Sequence, residues 1–418
     1  MPARGLCRLT CPGCSREFDE QTTDSSCRDC GSLLNLIVEN PDAADVLARR
    51  FDDRRGTMRG VFASGVWRYR ELVVPTFSDQ QIVSYPEGNT PLIGNPRIAA
   101  WTGVERLMIK HEGLNPTGSF KDRGMTVAIS QAKRTGARAV ACASTGNTSA
   151  SLAAYAALAG LPGVVLVPAG KISTGKLAQT VAHGALTLAV RGDFDVCLAL
   201  LRQASDALGV YMVNSVNPFR LAGQRTIVFE MLHQLEWAAP DWIVLPAGNL
   251  GNTSAFGAAL EVARAVGLID RIPRIAAIQA SGAAPFAAAF ADGFRTHPTV
   301  QPETIATAIR IGAPASWDRA INAIRGTNGV VAAVTDDEIL EAKMIVDAAG
   351  VGCEPASAAS IAGLRQLVAR GVIGKSEHVV AVLTGHVLKD PGIIVERGRP
   401  PIEIDPTLAA LETALRAQ

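Results

Sequence analysis

From about residue 137 onward the chain alternates short β-branched runs with alanine-rich stretches of helical spacing, and no other feature limits its fold as tightly. ARAVACAS, GVVLVPA, ALTLAV and VYMVNS read as strands, and SASLAAYAALAG, KLAQTVAHG and DFDVCLALLRQASDALG read as the helices between them. Beyond residue 219 the helix RLAGQRTIVFEMLHQLE, the strand DWIVLPAG, the helix NTSAFGAALEVARAVG and the strands RIAAIQAS and HVVAVLTG continue the pattern. Repetition at this spacing predicts parallel sheets covered by helices, an α/β fold in two units. The stretch from Ser281 to Arg310, rich in Ala, Gly, Pro and Thr, reads as a long irregular connection. Parallel sheets bind ligands beyond the carboxyl ends of their strands, so the loops that follow the strands are where chemistry is to be sought.

Composition narrows the class. At 418 residues, 48% hydrophobic and 19% charged, the chain is long enough for two domains and is neither disordered nor a polyelectrolyte. A net charge of +1, without a polybasic run, argues against nucleic acid and against anionic membrane as partners. The opening MPARGLCRLTCPGC lacks the apolar core of a signal peptide, and no uninterrupted 18-residue apolar run follows, so the cytosol is the expected location.

One stretch precedes the alternation and asks for a chemical explanation: LNPTGSFKDRG, residues 114–124. Pro116 fixes φ and Gly118 can take positive φ, so NPTG is a turn, and from Asp122 the spacing becomes helical. Lys121 therefore stands where a loop meets a helix start, where burial and the positive helix end both disfavour its charge. Three loops after strands stand out beside it. STGNTSA (144–150), PAGNLGNTSA (246–255) and LTGHVLKD (383–390) each follow a strand. Gly248, Asn249, Leu250, Gly251 and Asn252 form a small-residue turn at a helix start, which suits a phosphate group. An activated lysine together with a phosphate cradle is what pyridoxal phosphate requires.

NPTGSFKDRG, ASTGNTSAS, NSVNPFRLAGQ, PAGNLGNTSA, ATAIRIGAPASW, CEPASAAS and LTGHVLKD together resemble the threonine synthase family, within the tryptophan-synthase-β-like (fold type II) pyridoxal-phosphate enzymes. The resemblance runs over roughly residues 85 to 392, and NSVNPxR with TGHxLKD is its most specific part. It implies that Lys121 holds the cofactor and later shuttles protons, and that Asn147 faces the phenolic oxygen. By the same resemblance Gly248, Asn249, Leu250, Gly251 and Asn252 bind the cofactor phosphate, and Thr384 faces the ring nitrogen as a neutral partner. Ser144, Thr145, Thr148, Asn214, Ser215 and Arg220 would contact the substrate's carboxylate and phosphate, with Arg220 the strongest candidate because its planar fork matches phosphate oxygens. The implied reaction is O-phospho-L-homoserine plus water giving L-threonine and phosphate, the last step of threonine biosynthesis, in a homodimer. Singly, Asn147 could be an N-cap, Thr384 a strand-end hydroxyl and Arg220 a surface cation; in this order and on these elements the functional reading prevails. Two positions depart from the family pattern near the expected cofactor: Val387 stands where Gly commonly follows the His, and Gly352 where a bulkier residue is usual.

Of eight cysteines, Cys7, Cys11, Cys14, Cys27 and Cys30 fall in the first 30 residues, while Cys142, Cys197 and Cys353 stand alone in apolar surroundings. Cys11, Cys14, Cys27 and Cys30 make C-x2-C-x12-C-x2-C, which in a cytosolic-looking chain points to a structural zinc ribbon rather than to disulfides. An unmetallated thiol cluster is the alternative. The expected organisation is a four-cysteine segment at 1–40, an extension at 41–84, a catalytic core at 85–395 with a smaller α/β subdomain at about 125–215, and a tail at 396–418. The rival functions are a threonine or serine dehydratase, a cysteine- or cysteate-synthase-like enzyme, and a non-enzymatic module that senses an amino acid. Intact Lys121, Asn147 and Thr384 argue against the last.

Overall fold

Three sheets organise the chain in the computed structural model, which describes residues 6–39, 42–170, 174–397 and 401–416. The first residues of MPARGLCRLTCPGC, and part of the 396–418 tail, lie outside the described residues. Leu6–Thr10 (β1), Glu17–Phe18 (β2) and Asn35–Glu39 (β3) pair antiparallel in the order β2-β1-β3. Leu92–Gly94 (β4) and Arg106–His111 (β5) come next in the chain. Ala139–Ala143 (β6), Gly163–Pro168 (β7), Leu186–Val190 (β8) and Val210–Met212 (β9) then make a parallel sheet of order β8-β7-β6-β9. Trp242–Pro246 (β10), Arg274–Ala280 (β11), Val330–Val334 (β12) and His378–Leu383 (β13) join the two earlier strands as β12-β11-β10-β13-β5-β4. In this larger sheet only β4 runs antiparallel to its neighbour.

The apolar runs are continuous because helices cover both faces of the sheet. Along β10, Ile243 and Leu245 pack into one core with Val380 and Val382, while Trp242 and Val244 pack into the other with Ala276, Ile278, Val379 and Ala381. Successive side chains thus serve opposite cores, as the two-residue period of a strand requires. Among the described residues no helix is long and apolar enough to cross a membrane.

The seven strands read from β-branched runs are all present, but the larger sheet begins earlier than the alternation at residue 137 implied. β5, RLMIKH, lies ahead of it and carries a charge in its apolar run. That charge is internal: the Lys110 ammonium is fully buried and donates to Glu230 at 2.6 Å, to the Thr90 carbonyl at 2.7 Å and to Gln234 at 2.7 Å. The connection at 281–310 is also less irregular than expected, since Pro285–Ala291 is helical. Its cap comes from the strand just before it: Gln279, on β11, accepts the N–H groups of both Phe286 and Ala287.

Candidate active site

The loops after β5, β6, β9, β10 and β13 meet at the carboxyl ends of the two parallel sheets. Lys121 opens the helix Lys121–Arg134. Its amine is driven down to about 7, first by burial and then by the nearby Arg220 guanidinium, with Glu354 opposing. The helix Pro218–Gln234 brings Arg220 there. Pro218 takes its first turn, and Asn217 caps it by accepting the N–H groups of Phe219 and Arg220. The two helices can cross so closely because each has a glycine at the crossing. A Cβ on Gly223 would lie 1.9 Å from the Arg123 carbonyl oxygen, and one on Gly124 would lie 2.7 Å from that of Arg220.

The residues after Lys121 hold the loop in place. Asp122 is buried and accepts from Thr117 N–H at 2.7 Å, Thr117 Oγ1 at 2.6 Å and Ser151 Oγ at 2.6 Å, which locks the NPTG turn to the next helix. Burial still pushes its carboxyl up to about 6 against those bonds. Arg123, with no exposed surface, grips Glu112 through two bonds of 2.7 and 2.8 Å and reaches Glu230 at 2.8 Å. With Lys110 these make two buried cations facing two buried anions, an arrangement in which loss of one partner is far costlier than the pair is stabilising. The loop is also laced to the end of β13: Phe120 N–H donates to the Thr384 carbonyl at 3.0 Å, and His386 N–H to that of Gly118 at 2.9 Å.

Asn147 begins the helix Asn147–Ala159, and Thr384 directly follows β13. A buried carboxyl joins them. Glu354 accepts from Asn147 Nδ2 at 3.0 Å and from Thr384 Oγ1 at 3.4 Å, and burial raises its pKa. Glu354 stands at the N-cap position of the helix Pro355–Ala369, with its carboxyl turned to these partners and not to the helix N–H groups. Sequence reasoning assigned it no role, although a carboxylate before Pro at a helix start is a legible signature.

Arg220 is fully buried with one bond, from Nη1 to the Val213 carbonyl at 2.9 Å; Nε and Nη2 have no partner among the described residues. Burial lowers its pKa to about 10. Ser215 accepts from Asn249 Nδ2, and Asn249 Oδ1 accepts Ala315 N–H at 2.6 Å. The Asn249 side chain is thus engaged within the protein, and its main chain is what it offers to an anion. The Asn214 side chain is engaged within the protein as well. Its amide exchanges two bonds with the main chain of Ala143, at 3.2 and 3.1 Å, and so steadies the strand end that leads to Ser144. Ser144, Thr145, Asn147 and Thr148 are half-buried on the loop and first turn.

The glycine-rich turn enters the helix Gly251–Ala265 with Leu250 in the left-handed region at φ 63°. A Cβ at Gly248 would come within 2.8 Å of Ile309 Cα, so this position tolerates only glycine. Asn252 Oδ1 and Thr253 Oγ1 are buried there without partners among the described residues. Pyridoxal phosphate fits these residues: a depressed amine, unpartnered polar atoms and N–H groups at a helix start, and an amide and a hydroxyl held apart by one carboxyl. The two departures from the family pattern touch each other. Gly352 has φ 71°, and a Cβ there would lie 3.3 Å from Val387 Cβ. A side chain at 387 thus fills the space left by its absence at 352.

At the amino-terminal sheet the Sγ atoms of Cys11, Cys14, Cys27 and Cys30 lie within 4.8 Å of one another. The two knuckles are built alike: Ser15 N–H donates to Cys11 O and Gly31 N–H to Cys27 O, both at 2.9 Å, while Cys11 and Cys27 N–H donate to Arg16 O and Ser32 O. Four converging thiols leave no open coordination position, the donor set of a structural site. Glu20 of this segment pairs with Arg134, and its carbonyl accepts from Gln131 at 2.6 Å. Arg225 and Arg319 donate to the carbonyls of Leu36 and Leu34.

Residues 83–385 match the family described as pyridoxal-phosphate dependent enzyme. The chain is 44% identical to the threonine synthase of Methanosarcina acetivorans over 97% of its length and 98% of that protein. It is 50% identical to that of Mycobacterium leprae over 77% of its length and 88% of that protein. Its fold is similar to the crystal structure of threonine synthase from Escherichia coli, with a TM-score of 0.71 at 18% identity, covering 98% of this chain and all of that one.

Proposed function

The chain belongs to the threonine synthases, within the pyridoxal-phosphate dependent enzymes, and from that premise we propose how its residues divide the conversion of O-phospho-L-homoserine and water into L-threonine and phosphate. The observation that carries the assignment of roles is the buried amine of Lys121 beside an Arg220 guanidinium with two nitrogens that no described residue engages. When bound, pyridoxal phosphate supplies an electron sink for the charge left as protons leave the substrate. Lys121 holds the cofactor at rest; its amine, released by the substrate, takes the Cα proton and carries protons between Cα, Cβ and Cγ. Arg220 and Ser215 receive the phosphate that leaves Cγ, where charge grows in the transition state. Ser144, Thr145 and Thr148 hold the carboxylate, and Asn214 keeps their strand end in place. Asn147 donates to the phenolic oxygen, Thr384 faces the ring nitrogen, and the turn from Gly248 to Asn252 holds the cofactor phosphate through main-chain N–H groups.

Phosphate release from O-phospho-L-homoserine, with threonine identified as the product, tests the reading; release from phosphoserine alone would replace the substrate. Arg220→Ala is expected to lower kcat by about 10²- to 10³-fold, with cofactor affinity changed far less. Equal loss of both would make Arg220 a structural residue.

We propose further that the chain divides into a cysteine segment at 1–40, an extension at 41–84, a core at 85–395 with its smaller unit at about 125–215, and a tail at 396–418. A homodimer in the cytosol is the assembly and place that the family resemblance favours. Cys11, Cys14, Cys27 and Cys30 would hold one structural zinc, which would fasten the segment that grips Arg134 on the Lys121 helix and Arg225 on the Arg220 helix. Cys27→Ser is expected to drop bound zinc well below one per chain and to lower the unfolding midpoint by roughly 5 °C or more. Elemental analysis with differential scanning calorimetry checks this, and metal-free wild type of full stability would remove the zinc.

A further inference from the structure

Two residues one turn apart at the start of the helix Pro355–Ala369 have no part in the mechanism above, yet they touch both side chains that face the cofactor ring. Ser357 is fully buried, and its Oγ accepts the N–H groups of Thr384 and Gly385, both at 2.9 Å. A hydroxyl has two lone pairs and one proton. With both lone pairs occupied, Ser357 can only donate, and its nearest acceptor is Thr384 Oγ1 at 2.9 Å, against 3.4 Å to the Gly385 carbonyl. Thr384 Oγ1 thereby receives one bond and is left to donate its own proton. The Glu354 carboxyl, 3.4 Å away, takes that proton only weakly. Across the site, Glu354 accepts one of the two protons of Asn147 Nδ2, which fixes the amide against flipping and leaves the second proton to point elsewhere.

We propose that Ser357 and Glu354 are positioning residues that set the hydrogen-bond sense at the two polar edges of the cofactor ring, making Thr384 a donor to the ring nitrogen and Asn147 a donor to the phenolic oxygen. A ring nitrogen that receives a proton in a hydrogen bond is an unprotonated one, so the pair also sets the charge of the electron sink. This rests on the placement of Thr384 and Asn147 given above.

Cofactor affinity separates a positioning role from a structural one. The cofactor-free protein is titrated with pyridoxal phosphate and with the analogue that carries CH in place of the ring nitrogen. Wild type is expected to prefer pyridoxal phosphate by roughly five- to tenfold, the worth of one such bond. In Ser357→Ala the preference should fall to near unity, because the freed Thr384 hydroxyl no longer points one way. A merely structural serine would weaken both ligands equally and leave the ratio intact, which would overturn the proposal. If the alanine variant does not fold, Ser357→Cys keeps the shape with a weaker acceptor and is expected to narrow the ratio in the same direction; an unchanged ratio there overturns the proposal equally. Glu354→Leu, tested against the analogue lacking the phenolic oxygen, should lose its discrimination likewise. Wild type with no preference between the first two ligands would instead refute the placement of Thr384, so the two failures are distinguishable.

Discussion

Lys121→Ala is expected to lose threonine formation by about 10⁴-fold or more, since one amine both holds the cofactor and moves every proton. Phosphate release and product identification on the purified variant check it, and borohydride reduction should fix cofactor to the wild type alone. A variant with a tenth of the wild-type rate would end the case for this lysine. Its pH behaviour follows from the burial of the amine and from Arg220, which hold it near 7 in the folded chain. Below that pH the amine is charged and cannot attack a carbonyl, so capture of cofactor by the cofactor-free protein should climb as pH rises through about 7 and then level off. The unfolded chain keeps its lysine proton up to roughly pH 10.4. Between the two values the unfolded state binds a proton that the folded state does not, so stability of the cofactor-free wild type should rise with pH across that window. Denaturation of Lys121→Met beside the wild type reads this contribution; a constant difference from pH 6 to 9 would contradict the depressed amine.

The Asp-Arg pair after Lys121 shows where sequence reading stopped. The lysine could be found because the turn residues around it have local causes: a proline that fixes φ, a glycine that frees it, and a helix that begins at once. Arg123 could not be understood that way. Its partners Glu112 and Glu230 lie 11 and 107 residues off, and the second also receives Lys110 from β5. The same holds for Glu354, which is 207 residues from Asn147. Seven strands announced themselves through unbroken apolar runs, although β12 was passed over despite its VVAAV run, and β5 stayed hidden because its charge is neutralised by a helix far along the chain. The loops of the site were legible one at a time. What brings them together is the meeting of two sheets and two helices, and that is a property of packing.

That packing turns on Gly223, and Gly223→Ala is the second large effect. An added Cβ would meet the Arg123 carbonyl oxygen at 1.9 Å, the Arg123 carbonyl carbon at 2.7 Å and Gly124 Cα at 2.9 Å. All three are main-chain atoms inside a helix, so no side-chain rotation can relieve them, and the helices must separate. Arg123 cannot follow such a shift without parting from Glu112 or Glu230, which would leave a buried charge unpaired. The combined cost is expected to be roughly 4 kcal/mol or more, enough to remove most folded protein from a soluble extract. Gly392→Ala is the control, since a Cβ there meets nothing within 4 Å, and it should leave yield and unfolding midpoint as they are. The consequence for chemistry is direct, because the crossing of these helices is what sets the Arg220 guanidinium against the Lys121 amine. A Gly223→Ala protein that folds with wild-type stability would mean that the helices can part freely, and Arg220 could then no longer be credited with lowering the lysine.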